Sequence, residues 1–144
     1  MYDRSKCEIV CMQGGIKPVY STKEAAAADI AIPADVCIKA HESVCVDLLL
    51  RTNIAVGYCL LMFPRSSLLV KQGLMMPVSV IDSDYKLNIH APLHNLTDND
   101  ITLTAGMRVA QVMLQDCSIR VTNNFVDKER DGGFGSTGTG GKNE

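Results

Sequence analysis

Short β-rich runs recur along the whole chain, and no long segment carries a helical period. CEIVCM, DVCIKA, SVCVDLLL, GYCLLMF, MPVSVID, YKLNIHAPLH, DITLT, MRVAQVML and CSIRVT are separated by turn signals: Gly14–Gly15, residues 32–35 (IPAD), residues 95–100 (NLTDND) and Ala105–Gly106. In YKLNIHAPL the alternation puts Leu87, Ile89, Ala91 and Leu93 on one face. Strands this short and frequent predict an all-β fold: a distorted jelly-roll sandwich or barrel whose sheets bury their apolar faces against each other. One short helix is predicted over RSSLLVKQG, capped by Ser66 or Ser67 and ended by Gly73. KEAAAAD could add a helical turn, and no internal repeat is visible.

With 144 residues, 47% of them hydrophobic, the chain suits one domain with a substantial core. Its formal net charge of -2 argues against a nucleic-acid binder, which needs basic excess to neutralise phosphates. No apolar run is long enough to span a membrane, and the first residues lack a secretory apolar core. Cys37, Cys45, Cys59 and Cys117 lie in apolar runs; with Cys7 and Cys11 they form no C-x-x-C. His41, His90 and His94 have no zinc-ligand spacing, and none is given a role. Free thiols behaving as small buried hydrophobes, in an intracellular reducing compartment, are the expectation.

The end of the chain is different in kind. Six of the 11 glycines follow position 130, in ERDGGFGSTGTGGKNE, with a single aromatic residue, Phe134. Such a stretch is either a disordered tail or an arm that orders over a ligand, its backbone N–H groups approaching an anion. A P-loop is excluded, because no lysine follows the glycines in register and no helix could follow them. The expected division is a β domain over 1–126 and a flexible arm over 127–144.

Five segments in order carry a resemblance: AAADI, PRSSL, SVIDSDYKL, GMRVAQ and RDGGFGSTG. Together they closely resemble the five motifs of the trimeric dUTPases. Asp29 stands at the acidic position of the first motif, with Ala27 and Ala28 in place of glycine and an aromatic. Pro64, Arg65 and Ser66 match the second, with Ser67 for glycine. Asp82, Asp84 and Tyr85 match the third, while Ser79 and Leu87 replace glycines. Arg108 and Gln111 match the fourth, with Met107 for an acid, and the fifth is one residue short before its double glycine.

The resemblance implies hydrolysis of dUTP to dUMP and pyrophosphate, which keeps uracil out of DNA and supplies dUMP for thymidylate synthesis. It implies Asp82 as the base that activates water, with Asp29 orienting Mg2+ through water while the triphosphate holds the metal. Gln111 would bind a phosphate oxygen or the attacking water; Arg65, Ser66 and Ser67 would meet phosphate near the helix start. Arg108 is expected to pair a carboxylate beneath the site. Tyr85 would lie under the deoxyribose. The hairpin with Lys86, Leu87 and Ile89 would read uracil through main-chain groups. Phe134 would stack on the base, with Arg130, Gly135, Ser136 and Thr137 closing on the phosphates. The resemblance also implies a homotrimer with shared sites, the arm crossing to a neighbour.

Bland alternatives stay open at this stage: an Asx turn at Asp82, a solvated strand charge at Asp29, a satisfied strand amide at Gln111. The lost glycines leave a second function open, a non-catalytic nucleotide sensor or interaction protein on the same scaffold. Deoxycytidine triphosphate deaminase is a remote third.

Overall fold

The computed structural model describes residues 7–125 and 129–134. Eleven strands and one helix follow in the order β1 (Glu8–Cys11), β2 (Ala28–Ala31), β3 (Val36–Ile38), β4 (Ser43–Asp47), β5 (Leu50–Asn53), β6 (Tyr58–Pro64), α1 (Ser66–Gln72), β7 (Leu74–Met75), β8 (Ser79–Ile81), β9 (His90–Asn95), β10 (Ile101–Leu103) and β11 (Arg108–Asp116). All pairings are antiparallel. The largest sheet runs β2-β11-β6-β8, the next β4-β9-β7, and β1-β5 and β10-β3 form two ribbons. This is the mostly-β, single-helix architecture the sequence predicts. No helix among the described residues is long and apolar enough to cross a membrane.

The inward faces meet in one core that includes Ile30, Ile32, Ile38, Leu48, Leu50, Met62, Leu74, Ile89, Leu93, Leu103 and Val109, all essentially inaccessible. Strand β9 shows the expected alternation, with Ala91, Leu93 and Asn95 buried and their neighbours half exposed. Among the described residues Asn95 is the one buried polar residue. Its amide donates to the carbonyls of Ile38 and Asn99 at 3.0 and 2.7 Å, and its oxygen accepts from Thr97, so burial leaves no polar atom unmet.

Several expectations change. SVCVDLLL is two strands, because Leu49 turns the chain at φ 53 between β4 and β5. YKLNIHAPLH becomes a strand only from His90, so Leu87 is exposed rather than sharing the inner face. CSIRVT forms no strand; Ile119 and Val121 stand fully in solvent. KEAAAAD gives bends and then enters β2, since four alanines carry too little apolar surface to hold a helix turn against the core. Helix α1 forms as expected and ends on Gly73 at φ 66, whose N–H bonds back to the Leu69 carbonyl. Its N-cap, however, is Arg65, with no side-chain cap bond; neither Ser66 nor Ser67 serves. Of the cysteines only Cys59 is buried; Cys37 and Cys45 point outward from their strands.

Candidate active site

The strand register brings the acidic residue of the first motif beside the glutamine of the fourth. Asp29 on β2 pairs with Gln111 on β11, and directly opposed residues project on one face. The register slips between Arg108 and Ala110, a bulge that re-aims Arg108. Its Nη1 lies 3.1 Å from Asp29 Oδ2 and donates to Ser21 Oγ at 3.0 Å. Ser21 donates to the same Asp29 oxygen at 2.6 Å. From the other side Arg65 Nε stands 3.2 Å from Asp29 Oδ1. Asp29, with its side chain 10% exposed, is therefore a clamped carboxylate rather than a solvated strand charge. The carboxylate expected under Arg108 is Asp29 itself.

Around this clamp lies an open pocket of about 430 Å³, lined by Ala25, Ala27, Ser66, Ser67 and Gln111 with Asp29 and Arg65. Gln111 spends one amide N–H on the Pro64 carbonyl at 3.2 Å, which leaves its second N–H and its oxygen for the pocket. One guanidinium, Arg65, with the hydroxyls of Ser21, Ser66 and Ser67 and an amide donor facing one cavity, suits an anionic group.

The second half of the site lies on another part of the chain. The turn after β8 is closed by the Tyr85 N–H on the Asp82 carbonyl at 3.2 Å. It leaves the Asp82 and Asp84 carboxylates more than half exposed. Tyr85 is buried beneath, its hydroxyl donating to the Asn88 carbonyl at 3.1 Å. Burial pushes its phenol above the usual range, against the opposing pull of Arg130.

The described part of the arm closes on this turn. Arg130 Nη1 reaches Asp82 Oδ2 at 2.6 Å and Asp84 Oδ1 at 3.2 Å, and its guanidinium lies 5.2 Å from the centre of the Tyr85 ring. The bond to Asp82, outweighing burial, holds the guanidinium charged. Gly133 packs so closely that a Cβ there would stand 2.6 Å from Tyr85 Cε2. Phe134 presents its ring to His90 edge-to-face, centroids 5.4 Å apart. Tyr85, His90, Arg130 and Phe134, together with Met62, Ser79, Ile89 and Pro92, line a pocket of about 300 Å³.

The hairpin assignments need correction in part. The Ile89 N–H donates to the Leu50 carbonyl at 2.7 Å and its carbonyl accepts from Leu48 at 3.0 Å, so Ile89 offers the pocket its side chain and not its backbone. Lys86 and Leu87 are exposed and do not line the pocket. Gly135, Ser136 and Thr137 lie outside the described residues. Within the single chain, Arg130 and Phe134 rest on the chain's own hairpin. Ser21 and His90 escape the sequence reading: Ser21 reaches Asp29 only through the fold, and His90 shows its place only once β9 is known to start there.

The dUTPase family model matches residues 15–138, nearly the whole described chain. The chain belongs to the dUTPase family. It is 36% identical over 127 residues to the deoxyuridine 5'-triphosphate nucleotidohydrolase of Yarrowia lipolytica, covering 84% of this chain and 81% of that protein. It is 32% identical over 131 residues to that of Paramecium bursaria Chlorella virus 1, covering 88% and 93%. Among solved structures it is similar to the dUTPase of Streptococcus mutans, with a TM-score of 0.73 at 28% identity over 81% of this chain and 98% of that one. The Staphylococcus bacteriophage 80alpha dUTPase shares the fold at a TM-score of 0.75 and 17% identity, over 88% and 99%. These relatives place the jelly-roll family on the architecture described above.

Proposed function

We infer that the chain hydrolyses dUTP to dUMP and pyrophosphate, as its family membership and the retained polar side chains support. In this reading Asp82 takes the proton of a water aimed at the α-phosphorus. Arg65, Ser66, Ser67 and Gln111 meet the phosphates, and Tyr85 underlies the deoxyribose. The main-chain groups of Lys86 and Leu87 make no hydrogen bond among the described residues, but both residues lie outside this chain's nucleoside pocket and are not assigned to the base. Phe134 would cap the base, and the 127–144 arm would be the closing element.

One observation carries the reading further, to an assembly. Asp82 follows Ile81, which pairs with Leu60, so it stands level with Cys59; Asp29 pairs with Gln111, which pairs with Phe63. Asp29 thus lies on one outer strand of the β2-β11-β6-β8 sheet, and Asp82 in the turn just beyond the other. With strands about 4.8 Å apart and residues about 3.3 Å apart, their separation within one chain is roughly 20 Å. The two pockets share no lining residue. This separation supports a reading in which a second copy brings its phosphate pocket to the first copy's nucleoside pocket. Ile119, Val121 and Phe125, strongly exposed at alternate or nearby positions, supply apolar surface for such a contact. A homotrimer with shared sites is the assembly this supports, whichever chain lends the arm.

Mg2+ fits the site only as a companion of the substrate. Among the described residues no group of three His, Cys, Asp or Glu side chains could hold a metal. Among the described residues Asp29 Oδ1 has Arg65 as its one partner and keeps a lone pair that could accept from a metal-bound water. The ion, when bound, would neutralise the triphosphate and fix its bend. A related phage phi11 dUTPase structure is described with a structural Mg(II) ion. The cysteines are free thiols, in keeping with a reducing intracellular location.

The test is incubation with Mg2+ and dUTP, UTP, dCTP or dTTP. Pyrophosphate from dUTP alone is the expected result. Binding without product would make the chain a sensor, and ammonia from dCTP would make it a deaminase.

A further inference from the structure

We propose that His90 is a positioning residue of the nucleoside pocket: its imidazole, oriented by the Asn88 carbonyl, seats the Phe134 ring and sets how tightly the arm caps a uracil nucleotide. This rests on the reading of Phe134 as the cap. None of the five motifs assigns His90 a part.

The geometry fixes the imidazole from one side. His90 Nδ1 lies 2.8 Å from the Asn88 carbonyl oxygen. A carbonyl only accepts, so Nδ1 carries the proton and the ring orientation is set. Asn88 is itself held. Its amide nitrogen donates to both Asp47 oxygens, at 3.1 and 3.0 Å, and its side-chain oxygen accepts from Arg51 Nε at 2.8 Å. The same Asn88 carbonyl accepts the Tyr85 hydroxyl. One backbone oxygen therefore aligns the platform expected under the sugar and the ring that meets the cap.

The other side of the imidazole takes the arm. The His90 and Phe134 rings cross at 77°, centroids 5.4 Å apart, within the favourable range for edge-to-face aromatic pairs. Phe134 is otherwise 72% exposed and adopts φ 51, a left-handed conformation that disfavours a residue with a Cβ. It needs a contact to hold it there. Gly133 against Tyr85 and Phe134 against His90 are adjacent anchors, and both lead back to the Asn88 carbonyl.

A double-mutant cycle on the full chain tests this, with KM and kcat for dUTP as readouts. His90→Ala is expected to raise KM about 2- to 10-fold, the worth of one such aromatic pair, with kcat moving less. His90→Gln, which keeps a donor for the Asn88 carbonyl and so the hairpin, is expected to raise KM as alanine does. His90→Phe, which keeps the ring, is expected to restore it. In a Phe134→Ala background His90→Ala is expected to add nothing. Full additivity in that background, or an unchanged KM in both His90→Ala and His90→Gln, overturns the proposal while leaving the cap in place. An unchanged KM in Phe134→Ala alone removes the cap and the proposal together.

Discussion

Arg130 covers Asp82: the guanidinium sits 2.6 Å from the carboxylate expected to activate water, and also lies over the Tyr85 ring. The chain thus holds its expected base in an ion pair. A triphosphate offers the same guanidinium a denser negative charge, so binding would draw Arg130 away and release Asp82. Asp82→Asn should bind dUTP yet lose about 10²- to 10⁴-fold in kcat, the usual worth of a general base. Pyrophosphate release, set against equilibrium binding of a non-hydrolysable analogue, checks both halves of that statement.

The separation of Asp29 from Asp82 makes a complementation experiment decisive. Asp82→Asn and Asp29→Asn chains should each be nearly inactive alone. Unfolded and refolded together in equal amounts, they should recover activity, about a quarter of wild type if copies mix at random in a closed ring. No recovery in the mixed sample would place both carboxylates in a single-chain site.

Gly133 gives the arm its close seat. Gly133→Ala would put a methyl group 2.6 Å from the Tyr85 ring, which the backbone must retreat to relieve. The expected outcome is a several-fold higher KM for dUTP with an unchanged Tm, because the core does not depend on the arm. A fall in Tm of the kind a core cavity causes would contradict that division.

Asp47 should contribute to acid sensitivity. Burial pushes its carboxyl up, but the Leu49 N–H, the Asn88 amide, His90 and Arg51 together hold it below the usual range. A depressed carboxylate stabilises the fold above its unfolded pKa, near 3.9, and loses that contribution as pH falls through the lower folded value. Asp47→Asn should therefore be less stable than wild type at neutral pH, with the gap narrowing only below about pH 4. Denaturant midpoints from pH 7 down to pH 3 measure it.

Much of this was legible in the residues. The turn signals and β-rich runs marked nearly every strand, and Gly73 marked the helix end, because these depend on local backbone chemistry. The motif residues pointed to groups that the fold gathers into two pockets, Asp29 with Gln111 and Tyr85 with Arg130, since each is a polar or aromatic group in a fixed pattern. What stayed hidden depends on pairing across the fold. Ile89 looked like a reader of the base until its backbone proved committed to Leu48 and Leu50. CSIRVT alternates as a strand should, but no strand of its own chain lies beside it. Ser21 and His90 carry no motif, and only the register brings them to Asp29 and Phe134.

The placement of two incomplete pockets at opposite corners of one sheet has a consequence for dosage. Where each site is shared between copies, as proposed, a solitary copy would be silent however well it folds, and catalytic output should fall more steeply than protein amount on dilution. In a mixed population a defective copy would also spoil sites built with its healthy neighbours, and the harm done by one faulty chain would exceed its share of the total.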